Sequence, residues 1–407
     1  MNICPIEQCT GCSACMNACR HSAITMRKGK NGHLFPEINA DLCVGCKLCE
    51  KACPNNTLPE YNYPSATYIA TSKNSDEAKT STSAGIASVL SRQILKQGRI
   101  VYGTCGTDCQ HVHHVRIDKE EDLWQIKGSK YVQSAIEDTY THVKEDLKNG
   151  KTVLFIGTPC QVAGLQIFMK SFLAIPANAN LRGNLYTVDL VCHGVPSQQI
   201  LNDAIREYVP ERNLSELNVS FRKKEKNKSL YGLFISDKET GADVYRSVFP
   251  KNEYIVGFLN GLYYRESCYQ CHYTHPERVS DITLGDYWDR DNKVQIGNHE
   301  GGLSMVMANT NQGAKLLQEA SSMLNLLDGD YSDFVKRNGQ LEHPIKKHPK
   351  YEEFAQHYPQ KGFLTSISSC IAADLKRIRR NNLLSKLSRI VYKIPGTKKL
   401  YKKIVRR

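Results

Sequence analysis

The sequence predicts an α/β protein, α+β overall: a small cysteine-rich domain, a larger mixed α/β domain and a helical C-terminal tail. Three observations in the 407 residues predict this. Nine of the sixteen cysteines fall in the first 53 residues, eight of them in two equally spaced runs. Apolar strand patterns then alternate with helical ones between about residues 66 and 345. From Cys370 to Arg407, thirteen Lys or Arg stand against one acid, Asp374, so the tail carries nearly all of the net charge of +13. The expected units are residues 1–58, residues 66–148 and 149–345 as two parts of one domain, and residues 366–407.

Cys9, Cys12, Cys15 and Cys19 read C-x2-C-x2-C-x3-C. Cys43, Cys46, Cys49 and Cys53 repeat that spacing at a constant offset of 34, with Pro54 following. This is the two-cluster bacterial ferredoxin pattern, in which the fourth cysteine of each run ligates the other cluster. It assigns Cys9, Cys12, Cys15 and Cys53 to a first 4Fe-4S cluster, and Cys43, Cys46, Cys49 and Cys19 to a second. The competing readings are a disulfide framework and zinc, but zinc takes two C-x2-C pairs rather than two runs of four. One departure is Arg20, where the first repeat could carry proline. Twelve cysteines in cluster-like patterns imply a reducing compartment. No apolar run reaches the ~18 residues of a membrane span, and Met1 leads almost directly into the first motif. The expected location is the cytoplasm of an anaerobic or microaerobic cell.

Residues 59–67 read as a linker rich in Pro, Tyr and Asn. A short strand at 68–71 precedes Ser81-Thr82-Ser83-Ala84-Gly85, which opens a helix running to about Gln97. Small and hydroxyl residues at a helix start suit either a bound anion or an ordinary cap. A strand at 100–102, the segment Gly128-Ser129-Lys130-Tyr131 and a polar helix to Lys148 follow. An apolar strand at 153–156 ends in Gly157-Thr158-Pro159-Cys160, and a helix resumes from Gln161. A second apolar strand at 185–191 ends in Cys192-His193-Gly194. Ligands collect just past the C-terminal ends of such strands. Cys268 and Cys271 add a C-x2-C before a strand at 282–284. Cys160, Cys192, Cys268 and Cys271 therefore form a candidate third 4Fe-4S site, with zinc or unconnected structural thiols as alternatives.

Taken together, several segments resemble the coenzyme F420 hydrogenase/dehydrogenase beta-subunit family. They are Ser81 to Gly85, Gly128 to Ser134, Gly157 to Gly164, Cys192 to Ser197, Cys268-Tyr269-Gln270-Cys271 and Ser280 to Trp288. The resemblance spans roughly residues 66–345, and the fused ferredoxin module resembles forms from anaerobic bacteria and archaea. It implies a bound FAD beside the third cluster. It also implies that Ser81, Thr82, Ser83 and Gly85 cradle the flavin phosphates, and that Lys130, Tyr131 and Gln133 lie near the isoalloxazine. His193 and Asp286 are candidate proton donors to a reduced flavin, or structural groups. No residue identifies a deazaflavin pocket, so coenzyme F420 itself enters only as an alternative substrate.

Other motifs are absent or weak. There is no G-x-G-x-x-G, so a Rossmann nicotinamide site is unsupported. Gly150-Lys151-Thr152 lacks the first glycine of a P-loop. Cys105, Cys109 and His111 hint at a metal site, but read better as a strand–turn–strand edge. Cys4 and Cys370 have no evident partner. In the tail, Leu375, Ile378, Leu383, Leu384, Leu387, Ile390, Val391 and Ile394 recur at helical steps among basic residues. A second short basic stretch after Pro395-Gly396 carries Leu400, Tyr401, Ile404 and Val405. Such a segment suits the inner face of an anionic membrane or an acidic partner. Nucleic acid is not expected, because no binding motif accompanies the charge. The expected function is an oxidoreductase relay from a ferredoxin-like donor, through 4Fe-4S clusters to FAD, and on to an unidentified small-molecule or glycan-precursor acceptor. The rival is an electron-transfer subunit that serves a partner enzyme.

Overall fold

The structure is a computed structural model that describes residues 2–106, 109–225, 228–289, 293–297 and 302–391. The N-terminal segment carries strands β1 (Ile24–Lys28) and β2 (Leu34–Ile38), paired antiparallel with Ile24 opposite Ile38. The sequence repeat is also a backbone repeat. Gly11 and Gly45 both have left-handed φ, +66° and +69°, and so do Ser13 and Lys47, +60° and +61°. Each pair precedes a short helix, Ala14–Ala18 or Leu48–Lys51. Alternating left- and right-handed residues turn successive N–H groups into one concavity, a shape that suits an anionic iron–sulfur core.

The remainder is built on β3 (Ala66–Ser72), β4 (Ile100–Cys105), β5 (His113–Ile117), β6 (Val153–Gly157), β7 (Leu185–Leu190), β8 (Leu217–Glu225), β9 (Lys228–Asp237), β10 (Asp243–Val248), β11 (Ile282–Tyr287), β12 (Leu303–Ala308) and β13 (Leu324–Asp328). One eight-stranded mixed sheet has the order β13-β3-β12-β11-β7-β6-β4-β5. Its centre, β4-β6-β7-β11, is parallel, and both flanks are antiparallel. Strands from residues 66–148 and from 149–345 thus share one sheet. The near-continuous apolar character of β6, fully buried at Val153, Leu154 and Phe155, is what a strand covered on both faces requires. Cys105 ends β4, and the chain returns along edge strand β5, so this region is the strand–turn–strand edge the sequence favoured; Thr107 and Asp108 lie outside the described residues.

A separate three-stranded sheet, β10-β9-β8, packs with the helices Gln198–Tyr208 and Glu253–Leu259 and the helix Phe363–Val391 around one aromatic-rich core. The long helix starts inside that core, with Phe363, Ile367, Cys370 and Ile371 buried, and Leu375 and Ile378 pack against it too. The tail's first two apolar positions are therefore spent internally rather than offered to a membrane. Of the later ones, the side chains of Leu383, Leu387, Ile390 and Val391, and all of residues 392–407, lie outside what is described. Among the described residues, no helix is long and apolar enough to cross a membrane.

Candidate functional site

Of the two crossed cysteine sets, the structure gathers the second around a single recess, where Cys19 joins Cys43, Cys46 and Cys49. Cys46 is exposed there, and the neighbouring Val44 is 63% exposed. Cys9, Cys12 and Cys53 are instead buried: Cys12 packs into an apolar cluster of the larger domain, and Cys53 into a small one with Ile3 and Ile24. Cys4, which had no evident partner in the sequence, lies in hydrogen-bond contact with Cys53 and Cys9. Backbone N–H groups of Gly11, Ala14 and Met16 reach the sulfurs of Cys9, Cys12 and Cys15, in that order.

The docking contacts centre on the first set. Gln133 donates to the Thr10 carbonyl (2.8 Å), Ser267 to the Cys9 carbonyl (3.2 Å), and Asn17 to the Glu137 carbonyl (2.6 Å). The helix Pro159–Leu173 lies so close that a Cβ at Gly164 would stand 2.9 Å from Cys12 Sγ. That helix carries Cys160 in its first turn, where Thr158 Oγ1 sits 3.2 Å from the sulfur.

Cys160, Cys268 and Cys271 line a second recess with Arg265, Ser267 and Tyr273. Cys192 is close enough to feel Cys271 electrostatically, and Cys268 feels both Cys192 and Cys160. The four core cysteines thus gather from three chain segments: β6 and β7 deliver one each past their C-terminal ends, and the turn Glu266–Gln270 with the residue after it delivers the pair. Burial pushes the thiols of Cys160, Cys192 and Cys271 up to about 12. Two buried guanidiniums oppose this. Arg265 acts on Cys160, and Arg278 acts on Cys192 and Cys271. Arg278 also holds the fully buried Asp189 at 3.1 Å. Thiolates ringed by buried positive charge fit an iron–sulfur cluster, since ligation needs the deprotonated form.

Beyond Cys192 the chain reaches His193. It feels the charge of Asp286, singled out in the sequence, and of Arg222 from β8, which sequence reasoning missed and which links Asp286 to Tyr131. Arg222 donates from Nε to Tyr131 Oη (2.7 Å) and from Nη2 to Asp286 Oδ2 (2.6 Å). It also lies over the rings of Tyr231 (5.3 Å) and Trp288 (5.4 Å). Burial lowers the His193 pKa, with Asp286 opposing and Arg222 adding to the shift, and its Nδ1 is buried without a partner. Two residues further along β8, Lys224 reaches the Ser83 carbonyl (2.9 Å) and the Ala78 carbonyl. Burial, then Arg222, lowers its pKa to about 8.

The Ser81–Gly85 loop is laid out beside these cations. Gly85 has φ +82° and opens the helix Ile86–Leu95. Thr82 Oγ1 accepts from the Ser129 N–H (2.8 Å), and Ser83 Oγ donates to the Leu303 carbonyl (2.9 Å). Ser81 Oγ donates to Glu77 (3.2 Å). Lys130 Nζ donates only to the carbonyls of Ile126 (3.1 Å) and Lys127 (2.7 Å) among the described residues, and burial lowers its pKa to about 7. A buried ammonium held by carbonyls fits a nearby anion such as a cofactor phosphate. Gln133 does not join this group. Its amide is committed between Thr10 and Arg265 Nε (3.0 Å), so its place is at the first cysteine loop.

Two family models match the chain. Residues 8–57 match the 4Fe-4S dicluster domain, and residues 150–330 match the C-terminal part of the coenzyme F420 hydrogenase/dehydrogenase beta chain. The chain joins a 4Fe-4S dicluster domain to a beta-subunit domain of that family. It is an electron-transfer iron–sulfur protein. Both repeated cysteine runs fall in the dicluster match, and the four core cysteines, with Arg222 and Asp286, fall in the beta-subunit match. Among solved structures, a chain of the F420-reducing NiFe hydrogenase complex from Methanosarcina barkeri, studied by xenon derivatization, is 18% identical with a TM-score of 0.46. The alignment covers 69% of this chain and 89% of that one. No curated protein matches.

Proposed function

We propose that the chain is a flavin-dependent iron–sulfur reductase, taking electrons from a ferredoxin-like donor and delivering them to an organic acceptor. One observation carries the reading. The three cysteine sets follow one another from the exposed Cys46, through the buried Cys9 and Cys12, to the core set at Cys160, and the last abuts the Tyr131–Arg222–Asp286–His193 group. Clusters carry single electrons and a flavin collects two for hydride delivery, which is the chemistry the bound groups would supply. Cys160, Cys192, Cys268 and Cys271 would hold the third cluster. Ser81, Thr82, Ser83 and Gly85 would hold the flavin phosphates, with Lys130 and Lys224 supplying positive charge. Tyr131 and Arg222 would flank the ring and orient the acceptor, while Asp286 and His193 hold the proton it needs. Cytoplasmic location and contact of residues 392–407 with an anionic membrane belong to the same reading.

The test is iron, acid-labile sulfide and flavin per chain after anaerobic purification. About twelve iron and one FAD are expected, from three clusters of four iron. About eight iron without flavin overturns the reading and leaves a dicluster adaptor. Adding coenzyme F420 to the loaded protein then separates a deazaflavin acceptor from another organic one.

A further inference from the structure

Arg265 is among the largest fully buried side chains, and among the described residues it meets no carboxylate. A buried charge without a counter-charge is costly, so a guanidinium is retained in such a place only where negative charge answers it. Its hydrogen bonds go to neutral oxygens: Cys9 O (3.2 Å), Leu34 O (2.7 Å) and Gln133 Oε1 (3.0 Å). Its guanidinium also lies 4.7 Å over the Phe35 ring. The groups that attract its charge are Cys9, Cys268, Cys160 and Cys12, two from the first set and two from the core set. Nor can it be displaced by a small shift. A Cβ at Gly11 would stand 2.5 Å from its Nη2, so the cluster loop is closed directly onto it. Arg278 differs in having a carboxylate partner, Asp189 at 3.1 Å.

We propose that Arg265 is the shared counter-ion of the first and third clusters, a positioning residue that raises the reduction potential of both and makes them neighbours in transfer. Net charge and hydrogen bonding near the sulfurs set such potentials. Arg265 does not line the recess of the second set. This rests on the third cluster of the reading above.

The test is a potentiometric titration of the anaerobically purified protein, followed by low-temperature EPR. In Arg265→Gln the first and third potentials should fall while the second stays. Arg265→Lys keeps the charge and should hold both near their original values. If Arg265→Gln loses iron, Gln133→Glu answers the same question, since a carboxylate at the hydrogen-bonded position neutralises Arg265 in place; it should lower the same two potentials. Unmoved potentials in an iron-replete Gln variant, equal shifts of all three, or a Lys variant shifted as far as the Gln variant would each overturn the proposal. The iron count separates the two failures. Eight iron in the unmodified protein sinks the three-cluster reading, whereas twelve iron with unmoved potentials sinks only the role of Arg265.

Discussion

The dicluster domain and the core gather cysteines in opposite ways. In the dicluster domain, three cysteines of each set sit on one tight turn, and left-handed residues at 11, 13, 45 and 47 shape the surrounding backbone. In the core, four cysteines arrive from β6, β7 and a distant turn, and buried arginines supply the positive charge. The first arrangement is local and follows from spacing. The second exists only when the sheet is assembled, so it should be the more sensitive to changes far away in sequence.

The largest effect should come from removing ligands. Cys192→Ser should drop iron from about twelve to about eight per chain and leave the EPR signals of the dicluster domain intact. Cys46→Ser should remove one cluster at the exposed end and leave flavin content unchanged. Loss of all iron in Cys192→Ser would show that the two regions are not independent.

Next is the inner end of the core. Asp286→Asn breaks the charge pairing with Arg222 but keeps its shape. If Asp286 holds the proton for the acceptor, turnover should fall about 100-fold. Reduction of artificial one-electron dyes, and all cluster signals, should stay unchanged. A matching fall in dye reduction would move Asp286 out of the acceptor step.

The local half of this comparison is the half that sequence spacing speaks to. The offset of 34 assigned Cys19 to the set of Cys43, Cys46 and Cys49, and the strand ends after β6 and β7 brought Cys160 and Cys192 into consideration. Arg222, Arg265 and Arg278 were not legible. An isolated arginine in a chain with 54 Lys and Arg carries no mark of burial, and each becomes informative only through partners distant in sequence, such as Asp286 for Arg222 and Cys9 for Arg265. The sheet β8-β9-β10 was passed over for a related reason. Leu217, Val219 and Phe221 of β8 do alternate with Asn218 and Ser220, but the signal lasts only five residues before the charged run Arg222–Glu225, and β10 is largely exposed. Gln133 shows the converse, a residue singled out by motif whose amide is spent at the interface between the regions.

Two glycines compare the regions on a finer scale. Gly164 meets Cys12 Sγ at 2.9 Å and Tyr140 Oη at 3.0 Å if given a Cβ, so Gly164→Ala must push the dicluster domain off the core helix. It should cost about 1–3 kcal/mol by overpacking and loosen the first cluster. Gly45 has nothing within 4 Å but a φ of +69°, so Gly45→Ala should cost only about 1–2 kcal/mol of backbone strain. Thermal unfolding with iron release monitored in parallel reads both. Equal iron loss in the two would mean that the docking contact does not protect the first cluster.

The most gradual effect concerns a buried charge in the core. Lys130 is partly exposed along its stem, but its ammonium is enclosed, and burial lowers its pKa to about 7. An unfolded lysine titrates near 10.4. Between those values the unfolded chain binds a proton that the folded chain does not, so stability rises with pH across this window, by up to about 1.4 kcal/mol per unit. Lys130→Met should flatten that slope in urea unfolding from pH 7 to 10. An anionic cofactor beside the ammonium would pull its pKa back up and narrow the window. The slope should therefore be shallower in flavin-loaded protein than in protein stripped of flavin, and equal slopes would place the anion away from Lys130.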